Sequence, residues 1–479
     1  MGKAFDIEPQ DVKRVATPFR RIVTKIPAPE TLKVLETLHR CEPISMTGQP
    51  PILWDRAEGV QVYDCAGNKW LDWSSGVVVA NAGHGASEVK EAIRRQVDKG
   101  LLHNYCFPNA ERAALVQYLV DIAPKKLNKV FLLTTGSEAT ECAMKLARTH
   151  GQRVGGREKI GVVSFGGAFH GRTLGAQMIG GLPALKQWIV NLDPDMHQVP
   201  FPDGFRVEDT SFDLFLKTLA EAKVPADRIA GVILETFQGG SACFAPKPYM
   251  DALARWCREN QVLLICDEIQ AGFGRTGRLF GFEHYDIVPD LICCGKGISS
   301  SLPLSAVIGR SDVMDLYGPA EMTSTHTGNP VCAVAALASI RKIVEGGLVE
   351  HAHAMGQVLL AGLRDLAGRY PRLIGTVRGR GLVAGVHVVK GGTKEPDGDL
   401  AFAIVEKAFQ KGLLLFAPVG FGGATVKISP PLVITPEAIR DGLGALCESF
   451  EEAATALRER PLVGPSCSRR AGAAGRRIG

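Results

Sequence analysis

The sequence predicts an α/β protein, with a large domain on a mostly parallel sheet followed by a smaller α+β domain. Three observations carry that prediction. Short continuous apolar runs alternate with helical patterns between residues 129 and 344, as strands do when helices cover both faces of their sheet. After Gly347 the texture changes to a long helix, two close strands, a helix, a strand and a last helix. The length of 479 residues, 46% hydrophobic and 22% charged, suits two or three domains around a large core.

Residues 1–80 read as an arm and hairpin belonging to the small domain. Pro18, Pro27, Pro29 and Pro43 break up the arm around one short helix, and Gly59–Ser75 form the hairpin, turning at Ala66-Gly67-Asn68. Residues 81–346 make the large domain. Helical patterns at Ala86–Lys99 and Ala110–Ile122 precede apolar runs at Lys129–Leu133, Lys159–Val163, Ile229–Leu234, Val262–Cys266, Leu291–Cys294 and Ser305–Ile308. Helices at Glu138–His150, Tyr249–Glu259 and Pro330–Val344 are interleaved with or follow these runs. Residues 347–458 form the small domain, with a helix at Glu350–Leu366 and strands at Leu373–Val377 and Leu382–Val388. The end, 459–479, sets Arg469, Arg470, Arg476 and Arg477 among Gly, Ala and Ser without an apolar period, and reads as a disordered basic tail.

Composition excludes several function classes. A net charge of +5, with acids interspersed among the bases, argues against nucleic-acid binding. The twelve cysteines form no C-x-x-C pair, so neither a zinc site nor a disulfide scaffold is expected, and a reducing, cytoplasmic compartment is. No apolar run near ~18 residues spans a membrane. The first thirty residues hold no signal-peptide core, and Asp6 stands where N-myristoylation wants Ser or Thr.

Gly272-Phe-Gly274-Arg-Thr-Gly277 matches a dinucleotide-binding fingerprint, but no helix opens after it and no acidic residue ends the next strand. Four other features fit one chemistry together. Asp267 ends an apolar strand, where side chains point into the ligand crevice. Lys296 lies just past the strand DLICC; desolvated at the sheet edge, its amine could form a Schiff base. Thr135-Gly136-Ser137-Glu138 opens a helix and suits a phosphate, although a plain N-cap has the same residues. Phe169-His170-Gly171, after a glycine turn, offers a ring to stack on a flat ligand. Pyridoxal phosphate needs all four: an aldehyde-binding lysine, a carboxylate at its ring nitrogen, a phosphate cradle and a stacking surface.

These residues lie within motifs that resemble the class III (ω-amino acid, ornithine and GABA-type) aminotransferases from about Trp54 to Ser449. The matching stretches are TTGSEATECAMKLAR, GGAFHGRTLG, LLICDEIQAGFGRTGRLFGFEHYDIVPDLICCGKGISSSLPLSAVIG, THTGNPVCAVAAL and SPPLVIT. The resemblance implies the pyridoxal-phosphate fold type I, like aspartate aminotransferase, with catalytic Lys296 and Asp267. It implies Gln270 on the cofactor's phenolic oxygen, Ile269 beneath its ring, Phe169 above it, His170 beside it, and Gly136 and Ser137 on its phosphate. Thr325 matches the threonine that reaches a neighbouring subunit's phosphate, which implies a homodimer with shared active sites. Val77, Arg172, Glu235 and Lys427 match substrate-side positions, for small-molecule amine and carbonyl substrates.

Three departures bear on substrate. Lys427 stands where relatives often carry an arginine that pairs with a substrate α-carboxylate, and a lysine lacks that planar fork. The segment after Glu235 reads ETFQGGSACF where the family often has E-P-x-Q-G-E-G-G. Val77 suggests an apolar or open pocket wall. The leading expectation is an aminotransferase for ω-amino acids, amines or amino sugars. The alternative is a racemase or epimerase of the same family, and a non-catalytic binding protein is the third class.

Overall fold

The computed structural model describes residues 3–459. The expected basic tail, from residue 460 on, and Gly2 lie outside the described residues.

Seven strands form the central sheet: β1 (Lys129–Leu133), β2 (Gly161–Phe165), β3 (Met196–Val199), β4 (Ile229–Glu235), β5 (Leu263–Asp267), β6 (Leu291–Cys294) and β7 (Ser305–Gly309). Their order is β1-β7-β6-β5-β4-β2-β3. β6, β5, β4, β2 and β3 pair in parallel; β7 runs antiparallel to both its neighbours. The expected strands are all present, but β2 begins two residues later than its apolar run suggests, and β3 was not expected. Lys159 explains the shift. It is buried before the strand, and its ammonium donates to the Asn260 carbonyl at 2.9 Å. Its aliphatic stem extends the apolar pattern backwards.

Residues alternate between two core layers along each strand, as the two-residue period requires. Val162, Ile233, Ile265, Cys293 and Val307 share one layer with Ala139, Ala143 and Leu146 of helix α1 (Gly136–Gly155). Val163, Val232, Leu264, Ile292 and Ile308 face the other layer, with Met250 and Leu253 of α2 (Lys247–Glu259). Helix α3 (Pro330–Val344) follows the sheet.

Beyond it come α4 (Leu348–Arg369), β8 (Ile374–Arg380), β9 (Val383–Val388), α5 (Gly398–Gln410), β10 (Thr425–Ile428) and α6 (Pro436–Glu459). The strands make an antiparallel sheet in the order β8-β9-β10. The expected hairpin pairs Gln61–Tyr63 with Lys69–Asp72, and Asp64 Oδ1 closes the turn by accepting from the Ala66 and Asn68 amides. Its second strand also pairs in parallel with Leu413–Leu414.

Candidate active site

Parallel strands put their carboxyl ends on one edge of a sheet. Here β4 ends at Glu235 and β5 at Asp267, which are paired in register, and the chain leaving β6 reaches Lys296 two residues later. The turn from β1 into α1 brings Gly136 and Ser137 to the same edge, and the loop after β2 brings Phe169, His170 and Gly171. These residues, with Ile269 and Gln270, line one cavity.

The charges there are tightly held. His170 is buried and its Nδ1 lies 2.8 Å from Asp267 Oδ2, while Asp267 Oδ1 accepts the Ile269 amide at 3.0 Å. Burial works against a charged His170, but the hydrogen bond and the negative charges of Asp267 and Glu235 outweigh it and raise its pKa. His170 therefore donates from Nδ1. Thr140 Oγ1 fixes the same residue from behind by donating to the His170 carbonyl at 2.8 Å. Glu235 accepts the amides of Phe169 and Gly239, each at 3.1 Å. Burial pushes its carboxyl up to about 7, against the pull of His170. Burial lowers the pKa of Lys296, while Asp267 and Glu235 oppose that shift. Among the described residues the Lys296 amine makes no hydrogen bond, which leaves it free to react.

The segment expected to cradle a phosphate forms a helix N-cap. Thr135 Oγ1 accepts the Glu138 amide at 3.2 Å, and Glu138 Oε2 accepts the Thr135 and Thr134 amides at 2.8 and 2.9 Å. This capping box satisfies the outer donors and leaves the first helical amides, at Gly136 and Ser137, without a partner inside α1. A Cβ on Gly136 would stand 3.0 Å from Ile269 Cδ1, so a larger residue there would require that isoleucine to shift. The residues present fit pyridoxal phosphate: a free amine, a buried carboxylate braced by a histidine, an anion-binding helix start and a half-buried Phe169 ring.

Four residues named from sequence lie off the cavity wall. Arg172 is exposed, its guanidinium 5.7 Å from the centre of the Phe169 ring. Thr325 is exposed on the loop before α3. Lys427 is buried behind Gln270 and donates to its Oε1 at 2.5 Å. Val77 is 45% exposed within Ser75–Val78, four residues in succession with φ between +50° and +65°. A left-handed run that includes two valines costs roughly 1–2 kcal/mol per residue.

Sequence reasoning missed what holds that run. Asp72, fully buried, accepts the Ser74 and Ser75 amides at 2.7 and 3.1 Å and contacts His84 Nε2 at 2.6 Å. Arg275, also fully buried, donates to Asn81 Oδ1 at 2.7 Å, Ser75 Oγ at 3.3 Å and the Leu382 carbonyl at 2.9 Å. The glycine-rich loop after β5 thus fastens the segment at Ser75 and Asn81 to the turn between β8 and β9. Polar residues inside apolar motifs were the available signal.

The profile of the aminotransferase class-III family matches residues 44–450. The chain belongs to the class III aminotransferases. It is a pyridoxal-phosphate enzyme of fold type I that moves an amino group from a donor to a carbonyl acceptor. A 4-aminobutyrate aminotransferase of Mycobacterium leprae is 35% identical over 442 residues, covering 89% of this chain and 97% of that enzyme. A leucine/methionine racemase of Thermococcus litoralis is 32% identical over 426 residues, 86% of this chain and 94% of the racemase. Among solved structures, the ornithine aminotransferase of Toxoplasma gondii superposes with a TM-score of 0.78 at 27% identity, covering 89% of this chain and 96% of that one. Among the described residues no helix is long and apolar enough to cross a membrane.

Proposed function

We propose that this class III enzyme acts on ω-amino acids or related amines, with Lys296 and Asp267 as its catalytic pair. The observation that carries the reading is the convergence of a free, desolvated lysine and a histidine-braced carboxylate on one cavity at the sheet's carboxyl edge. Lys296 would hold the cofactor's aldehyde and Asp267 its ring nitrogen. Gln270 would donate to its phenolic oxygen, Gly136 and Ser137 to its phosphate, with Ile269 and Phe169 on its two faces. When bound, pyridoxal phosphate supplies an electron sink that weakens the Cα–H bond of an amine. Asp267 would keep the ring nitrogen charged, and His170 holds Asp267 in place. Lys296 would carry the proton, since its lowered pKa makes the neutral, basic amine available nearer neutral pH. Glu235, Arg172 and Val77 would shape the substrate end.

The same reading makes the chain a homodimer with shared sites, Thr325 of each subunit reaching the other's phosphate. Support comes from the surface beside that loop. Phe107 is 71% and Leu102 50% exposed, Tyr105 Oη lies 3.1 Å from Thr323 Oγ1, and the His103 and His326 rings are 5.3 Å apart. We divide the chain at residues 80, 346 and 458, and place it in the cytoplasm, where the free cysteines of the described residues would stay reduced.

The test is a donor panel with 2-oxoglutarate as acceptor, following glutamate formation. ω-Amino acids and primary amines should serve as donors. Activity confined to α-amino acids would overturn the substrate class.

A further inference from the structure

Lys427 lies in the middle of β10, paired with Gly385 of β9, and is almost fully buried. Its ammonium donates to the Gly239 carbonyl at 3.0 Å and to Gln270 Oε1 at 2.5 Å. Phe237 and Phe416 bracket it, their ring centres 5.0 and 5.8 Å away. Among the described residues no carboxylate is within ion-pair distance. The charged groups that act on it are Glu235 from β4, Lys296 past β6 and Arg275 past β5. His387, on β9, instead meets the Ser241 carbonyl at 2.6 Å.

The bond to Gln270 settles the orientation of an amide. A lysine ammonium has only donors, so it takes the carbonyl oxygen of Gln270 and leaves the NH2 group for the cavity that Gln270 lines. Burial lowers the pKa of Lys427, and the neutral amine still carries two N–H donors, enough for both bonds. The bond to Gly239 also ties the loop after Glu235 to the loop after Asp267.

We propose that Lys427 is a positioning residue: it orients the Gln270 amide so that its NH2 faces the cofactor's phenolic oxygen, rather than gripping a substrate carboxylate. This rests on the reading that Gln270 donates to that oxygen. A donor there favours the anionic oxygen and so lowers the pH midpoint of the bound cofactor's visible absorbance. Losing the orientation raises that midpoint.

The test is a spectroscopic pH titration of four holoenzymes: wild type, Lys427→Met, Gln270→Ala and the double variant. Lys427→Arg serves as the conservative control, and melting temperature and cofactor content of each show that it is folded and loaded. Lys427→Met should raise the midpoint by about one unit, and Lys427→Arg, which keeps a donor, should restore most of that. In the Gln270→Ala background Lys427→Met should add nothing, because the two residues act through one bond. With 4-aminobutyrate, Lys427→Met should lower kcat and leave KM within about threefold. An unmoved midpoint with KM raised tenfold or more would make Lys427 a carboxylate grip and overturn the inference. Full additivity in the double variant would also overturn it. A Gln270→Ala enzyme with the wild-type midpoint would instead sink the underlying assignment of Gln270.

Discussion

Burial distinguishes Lys296 from the many surface lysines of this chain, because desolvation disfavours its charged form. Lys296→Ala should therefore abolish covalent attachment: borohydride reduction of the holoenzyme should leave no cofactor-labelled peptide. Label on another lysine would refute the assignment. His170 acts through Asp267, by a 2.8 Å bond in a fully buried pair. Replacing it with phenylalanine removes the only side-chain donor to that carboxylate among the described residues. Losing a buried hydrogen bond of about 1–3 kcal/mol predicts a fall of roughly tenfold or more in kcat. Unchanged kcat would show that Asp267 needs no brace. Asp267 and Lys296 were legible in the sequence because one ends a strand and the other follows one by two positions. Lys427 was legible only as a departure; its partner Gln270 lies 157 residues away, a distance no local pattern spans.

At the scale of elements, the start of α1 is a helix cap and, in the proposed reading, also the anion site. Thr135→Ala removes one half of the capping box and should cost about 1 kcal/mol of stability. The loss should appear as a lower melting temperature and faster release of cofactor on dialysis. A lower melting temperature with unchanged retention would separate the cap from the cradle. The sequence placed this helix at Glu138 because Gly136 and Ser137 are weak helix formers, whereas the cap starts it at Gly136. Strand β3 escaped notice for a related reason: Met-His-Gln-Val at a sheet edge buries one residue fully and shows no apolar run. The left-handed run Ser75–Val78 was invisible, since valine disfavours positive φ and long-range partners such as the buried Arg275 and the Ser429 carbonyl help to hold it. Arg275→Met should leave four oxygens, those of Leu382, Pro430, Ser75 and Asn81, without this donor and destabilise the protein by about 3 kcal/mol or more. A loss below about 1 kcal/mol in reversible denaturation would contradict that role.

For the whole molecule, alternating strands and helices made the large sheet readable from sequence. The pairing of the N-terminal hairpin with Leu413–Leu414 was not, because two-residue strands carry no period and the contact joins opposite ends of the chain. The proposed dimer belongs to this scale. Thr325→Ala should weaken cofactor retention without altering the sedimentation coefficient of the dimer, and unchanged retention would argue against a cross-subunit contact. The claim on which the account rests is that the site exchanges an amino group. The most direct measurement is a single turnover of purified holoenzyme with an amine donor, without acceptor, in deuterated buffer. The account predicts one equivalent of carbonyl product per active site, with loss of the cofactor's visible absorbance. Persistent absorbance, with deuterium entering recovered and stereochemically scrambled amine, would contradict it and make the enzyme an isomerase.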